Sequence, residues 1–118
     1  MLRILVVEDN PDLRETLSLL LEGDDRHIES VANAEDALRD FTARPFDVVF
    51  SDVRLPGMSG LDLAERLRAF VPAPWIVMSS GAAVPALPAA AEARTRFLGK
   101  PFTMEALDAL LAEFEGPR

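Results

Sequence analysis

The stretch Phe46-Asp47-Val48-Val49-Phe50-Ser51-Asp52-Val53-Arg54-Leu55-Pro56-Gly57 decides how the chain folds. Val48 to Phe50 is an apolar run of β-branched and aromatic side chains, the pattern of a strand buried on both faces in the middle of a parallel sheet. Asp52 stands where that run stops, and Leu55-Pro56-Gly57 then turns the chain away. Open α/β sheets bind ligands in the crevice beyond the carboxyl ends of their central strands. Asp52 is therefore a candidate functional carboxylate, although a lone Asp at that place can equally well just begin a polar loop.

Working outward, Arg3-Ile4-Leu5-Val6-Val7 is a second aliphatic run, and it stops at Glu8-Asp9. Asn10-Pro11 follows in the order of a helix start, Asn as N-cap and Pro in the first turn. Leu13, Leu17, Leu20 and Leu21 continue at helical spacing, with Gly23 expected as the C-cap. His27–Val31 alternates as a half-exposed strand, and Asn33–Phe41 reads as a helix with Ala34, Ala37, Leu38 and Phe41 inward. Beyond the central strand come a helix over Gly60–Phe70, a strand over Trp75–Met78 ending at Ser79-Ser80-Gly81, and a strand over Arg96–Gly99 ending at Lys100-Pro101. Thr103 caps a last helix whose buried stripe is Met104, Leu107, Leu110, Leu111 and Phe114. Strands alternate with helices throughout, which predicts an α/β fold with a parallel sheet and helices on both faces.

With 118 residues the chain is long enough for one domain with one core, so residues 1–118 are read as a single domain. A hydrophobic content of 49% and a mean hydropathy of +0.13 place it among globular chains. The net charge of −8, with an isoelectric point near 4.5, argues against direct nucleic-acid binding, which needs a basic face. The same charge suits clustered carboxylates that attract cations. The absence of cysteine excludes disulfides and thiolate metal sites. No signal-peptide pattern opens the chain, and no apolar run approaches the roughly 18 residues of a membrane span, so a cytoplasmic location is expected. Glu115-Gly116-Pro117-Arg118 has the look of a frayed end or of a cut from a longer protein, and direct transcriptional control by these residues is not expected.

Polar groups thus stand at four strand ends: Glu8 and Asp9, Asp52, Ser79 or Ser80, and Lys100. Parallel strands point the same way, so these groups share one edge of the sheet. With Ser-Asp-Val-Arg-Leu-Pro-Gly-Met-Ser-Gly around Asp52, a hydroxyl residue after the fourth strand and Lys100-Pro101-Phe102, the chain resembles the receiver domain of two-component response regulators, of the chemotaxis-regulator type, along nearly its whole length.

The resemblance implies a flavodoxin-like, doubly wound sheet of five strands in the order 2-1-3-4-5. It implies that Asp52 is the phosphoacceptor, taking a phosphoryl group from a histidine kinase or phosphotransfer protein. Such transfer asks the protein mainly for positioning and charge neutralisation. Mg²⁺, a hard ion wanting oxygen ligands, would be bound by Asp9 and Asp52 directly, by Glu8 through a water, and by the backbone carbonyl of Arg54. Lys100 would supply a point charge to a phosphoryl oxygen, and the bond before Pro101 is a candidate cis peptide. Counting from Pro74 gives the phosphate-binding hydroxyl role to Ser79, with Ser80 as the alternative. Phe97 falls where the family has an aromatic that changes rotamer on phosphorylation, and a plain core phenylalanine is the other reading.

The chain departs from the family pattern between its fourth and fifth strands. Pro85, Pro88 and an alanine run replace a regular amphipathic helix, so an atypical fourth helix is expected over residues 82–95. The expected function is phosphorelay signalling through a conformational change of the face formed there and by the fifth strand. The output partner is unknown, and no enzymatic activity is expected beyond the domain's own phosphorylation and dephosphorylation. Two alternatives stand beside it. One is a receiver-like interaction module that takes no phosphate. The other is an aspartyl-phosphate phosphatase of the haloacid-dehalogenase type, which needs an Asp where Arg54 stands.

Overall fold

In the computed structural model, residues 1–80, 94–99 and 103–115 are described. Five strands, β1 (Leu2–Val7), β2 (Arg26–Val31), β3 (Val48–Asp52), β4 (Trp75–Ser80) and β5 (Thr95–Gly99), form one sheet in the order β2-β1-β3-β4-β5. Every neighbouring pair is parallel. Helices α1 (Pro11–Leu21), α2 (Ala34–Ala43) and α3 (Gly60–Leu67) and a C-terminal helix (Met104–Phe114) complete the elements among the described residues. The flavodoxin-like fold expected from the sequence is the one observed.

Because side chains alternate across a strand, each continuous apolar run feeds two cores. Leu5, Val7, Val49, Ile76 and Met78 meet Ala37 and Phe41 of α2 and Leu63 and Leu67 of α3 on one face. Ile4, Val6, Val48, Phe50, Val77 and Leu98 meet Leu17 and Leu21 of α1 and Leu107 and Leu111 of the C-terminal helix on the other. The strand β2, at the edge, is only partly covered, as its alternation predicted. None of the described helices is long and apolar enough to cross a membrane.

The helix starts fall where the caps indicated. Asn10 accepts hydrogen bonds from the amides of Asp12 and Leu13 (3.0 and 3.2 Å), Asn33 from that of Asp36 (2.7 Å), and Thr103 from that of Ala106 (3.1 Å). The helix ends differ from expectation. Glu22, not Gly23, is the C-cap of α1, and the left-handed conformation falls instead on Asp25 (φ 61°). Here Arg26 Nη1 reaches back to the Leu21 carbonyl (3.2 Å) and crosses Gly23, where an added Cβ would lie 3.0 Å from it. Helix α3 stops at Leu67 rather than Phe70. The amides of Ala69 and Phe70 turn back to Arg66 and Leu67 (3.2 and 3.1 Å), a tightened last turn before Val71, which Pro72 biases away from helical geometry. Phe70 still packs on Phe41, with ring centroids 4.7 Å apart. The fifth strand starts at Thr95, one residue before the expected Arg96, and the fourth continues through Ser79 and Ser80. The rest of segment 82–95, with its expected atypical helix, lies outside the described residues apart from Arg94 and Thr95.

At the amino-terminal end of β4, Trp75 lies under the guanidinium groups of Arg94 and Arg96 (4.7 and 5.1 Å from the ring centroid) and against Phe114 (4.9 Å). At the opposite end, the loop after β3 returns so closely that an added Cβ on Gly60 would collide with the Asp52 carbonyl oxygen and stand 3.0 Å from Met78 Cε. The Gly60 amide meanwhile donates to the Val53 carbonyl at 3.0 Å. Gly60→Ala is therefore expected to destabilise the fold by about 1–3 kcal/mol, as overpacking does. Urea denaturation measures this, and wild-type stability would mean that the loop yields freely.

Candidate functional site at the carboxyl rim of the sheet

The chain passes from β1 to β2 on one side and to β3 on the other, so the strand order reverses between β1 and β3. The carboxyl ends at such a reversal form the crevice where this architecture binds ligands. Glu8 and Asp9 follow β1, Asp52 ends β3, and oxygens of the three carboxylates lie within 4.8 Å of one another. Glu8 is buried, Asp52 half-buried and Asp9 exposed.

Glu8 is held by its own backbone neighbours. Its amide donates to the Val31 carbonyl of β2 (3.1 Å), and its Oε2 accepts from the Asn10 amide (3.1 Å). Its carbonyl accepts from Arg14 Nη1 of α1 (2.9 Å). Asp52 Oδ1 accepts from the Arg54 amide at 3.2 Å, a local turn that fixes the carboxylate against its own loop. The Arg54 side chain is exposed.

Ser79 pairs directly with Asp52 in the β3–β4 register, so their side chains share a face of the sheet. With Glu8, Phe50 and Ser51, these two residues line a small cavity. Ser79 is 6% exposed, and its Oγ has no hydrogen-bond partner among the described residues. A buried hydroxyl without a partner is uncommon and calls for an explanation. Ser80 continues the strand opposite Gly99, and its side chain lies outside what is described. Phe97 pairs with Met78, half-buried, and packs on the α2–α3 side, the face away from Leu98. Lys100 and Pro101, which follow β5, lie outside the described residues.

The rim thus brings together Glu8, Asp9, Asp52 and Ser79, and places Phe97 on the other face. Hard carboxylate oxygens on a half-open rim fit a small divalent cation and do not fit thiophilic metals. Two contributors escaped the sequence reading. Asn10 was read only as a cap, yet its amide also holds Glu8. Arg14 was passed over, and its signal was a cation one helical turn past Asn10, within reach of the acidic pair.

A doubly wound parallel sheet with an acidic cluster at its point of reversal defines a class of α/β domains that meet charged ligands at one rim. Comparison with known proteins narrows the class. Residues 4–112 match the family model described as the response regulator receiver domain. The chain is 31% identical to the sensory transduction protein LytR of Staphylococcus epidermidis over 119 residues, 99% of this chain and 42% of that protein. Among solved structures, it superposes on a CheY-like receiver domain from Methylobacillus flagellatus with a TM-score of 0.85 and 32% identity, covering 97% of this chain and 98% of that one. Chemotaxis response regulator CheY4 of Vibrio cholerae gives 0.82 and 28%, with the same coverage. The chain belongs to the response regulator receiver domain family, the signal-receiving modules of two-component phosphorelays. It spans less than half the length of the curated relatives it matches.

Since the buried Ser79 hydroxyl has no partner among the described residues, removing it costs no hydrogen bond to them. Ser79→Ala is expected to leave stability unchanged or raise it by up to about 1 kcal/mol. A thermal or urea melt checks this, and a clear loss of stability would show that the hydroxyl is bonded within the resting fold.

Proposed function

We propose that Asp52 is the phosphoacceptor of this receiver, taking a phosphoryl group from a phosphohistidine on a histidine kinase or phosphotransfer protein. The observation that carries the reading is the pairing of Asp52 with Ser79 beside Glu8 and Asp9 at the reversal of the sheet. An Asp52 carboxylate oxygen forms the bond to phosphorus as the phosphorus–nitrogen bond to the donor imidazole breaks, and the imidazole leaves with a proton from solvent. The Arg54 amide, bonded to Asp52 Oδ1, orients the carboxylate for that attack. Asp9 and Asp52, the Arg54 carbonyl, and Glu8 through a water would hold Mg²⁺. That ion supplies charge neutralisation for the transferring phosphoryl oxygens.

The Ser79 hydroxyl, which lacks a partner among the described residues, donates to a phosphoryl oxygen on Asp52, and Lys100 supplies a second, cationic contact. The phosphoryl group adds about −1.5 to −2 charge. Ser79 shifts toward it, and Phe97, one strand away on the opposite face, repacks against the α2–α3 core. The change selects between conformations that already exist. A cytoplasmic location agrees with this partnership, and the output partner is a protein or domain that reads the altered face. Of the alternatives, the phosphatase lacks its second carboxylic acid, since Arg54 stands two residues after Asp52.

Incubation with a small phosphodonor and Mg²⁺ should add one phosphoryl mass to the wild-type chain and none to Asp52→Asn. Asp9→Ala should fold normally and phosphorylate at least about tenfold more slowly, because a bound cation contributes several kcal/mol to such steps. Phosphorylation of Asp52→Asn at the wild-type rate would move the acceptor elsewhere. No phosphorylation of either chain by any donor would favour the interaction module.

A further inference from the structure

We propose that Arg14 is a positioning residue of the cation site, aiming Asp9 through the Glu8 carbonyl; this rests on the reading above that Asp9 and Asp52 bind Mg²⁺. The last residue of β1 is Val7, paired with Ser51 on one side and Val31 on the other. One further bond to the sheet, from the Glu8 amide to the Val31 carbonyl, carries the backbone to Glu8, and past it Asp9 has to be aimed by other means. Arg14 Nη1 donates to the Glu8 carbonyl at 2.9 Å. A peptide unit is planar, so fixing the direction of that carbonyl fixes the plane from which the Asp9 Cα and side chain depart.

Arg14 is itself well anchored. It is half-buried in the first turns of α1, its amide donates to the Asn10 carbonyl (2.9 Å), and its carbonyl accepts from Ser18 Oγ (2.8 Å). The opposite side of Glu8 is held by the Val31 carbonyl and the Asn10 amide. The residue before Asp9 is therefore held at its amide, its carboxylate and its carbonyl, and Arg14 is the side chain that holds the carbonyl.

Two effects of Arg14 on Mg²⁺ have opposite signs. As a cation beside an acidic cluster it repels a divalent ion, so deleting its charge should tighten binding. As an orienting group it acts as the outer partners of metal ligands do, whose loss weakens affinity by about 10- to 100-fold. The geometry favours the second effect, because Arg14 Nη1 bonds directly to the carbonyl of the residue preceding Asp9.

The test is Mg²⁺ titration of the phosphate-free chain, followed by calorimetry and by the amide shifts of Asp9 and Asp52. Arg14→Met keeps the aliphatic stem and removes the donor, and should bind Mg²⁺ about tenfold more weakly. Arg14→Lys keeps the charge but its ammonium does not reach as far as Nη1, and binding should fall about threefold. At saturating Mg²⁺ the phosphorylation rate of both should return close to wild type, which a general loosening of the fold would not produce. Unchanged or tighter binding by Arg14→Met overturns the proposal. If that variant does not fold, wild-type affinity in Arg14→Lys overturns it instead. Failure of the wild-type chain to bind Mg²⁺ would overturn the cation reading itself, and this inference with it.

Discussion

Carboxylates repel one another, and nothing in their own chemistry would gather Glu8, Asp9 and Asp52 to within 4.8 Å. The parallel pairing of β1 with β3 gathers them. Once Ile4 lies opposite Val48 and Val7 opposite Ser51, the two acidic ends must meet. What holds the strands in place is apolar burial on both faces. Ile4, Leu5, Val6, Val7, Leu21, Phe41, Leu63 and Leu107 are among the side chains sealed almost completely from water, each worth roughly 1.5–3 kcal/mol. Those contacts lie away from the rim, so they keep the strands paired whether or not the carboxylates there repel one another.

The alternation of side chains also divides the molecule. Asp52 and Ser79 share one face, and Phe97 packs on the other, beside Met78. The acidic rim and Phe97 are thus separated by the thickness of one sheet, and the backbone of β4 and β5 joins them.

Much of this was legible in the sequence because it depends on local rules. Apolar runs stopping at acids, Asn10-Pro11 and Thr103 as helix starts, and strict alternation of strand and helix led to the sheet and to the residues at its carboxyl rim. What stayed hidden depends on side chains from elsewhere in the chain. Gly23 has the composition of a helix cap, but the space over it is taken by Arg26 reaching back to Leu21. Gly60 reads as an ordinary helix start, and its lack of a Cβ matters only because the loop folds against the Asp52 carbonyl. A strand buried on both faces gives no hint in its composition of which residue points to which side. Residue type does not separate Ser79 from Ser80; the count from Pro74 favours Ser79, and the register sets it across from Asp52.

The lone tryptophan has a consequence for watching this molecule at work. Trp75 and Asp52 belong to neighbouring strands but to opposite rims, since Asp52 aligns with Ser79, four residues along from Trp75, roughly 13 Å at strand spacing. An ion or phosphoryl group at the acidic rim does not touch the indole. Among the described residues, the groups against the indole ring are the guanidiniums of Arg94 and Arg96 and the ring of Phe114. Any fluorescence change on activation would have to travel down β4 and β5, which makes this chromophore an intrinsic gauge of long-range transmission rather than of occupancy.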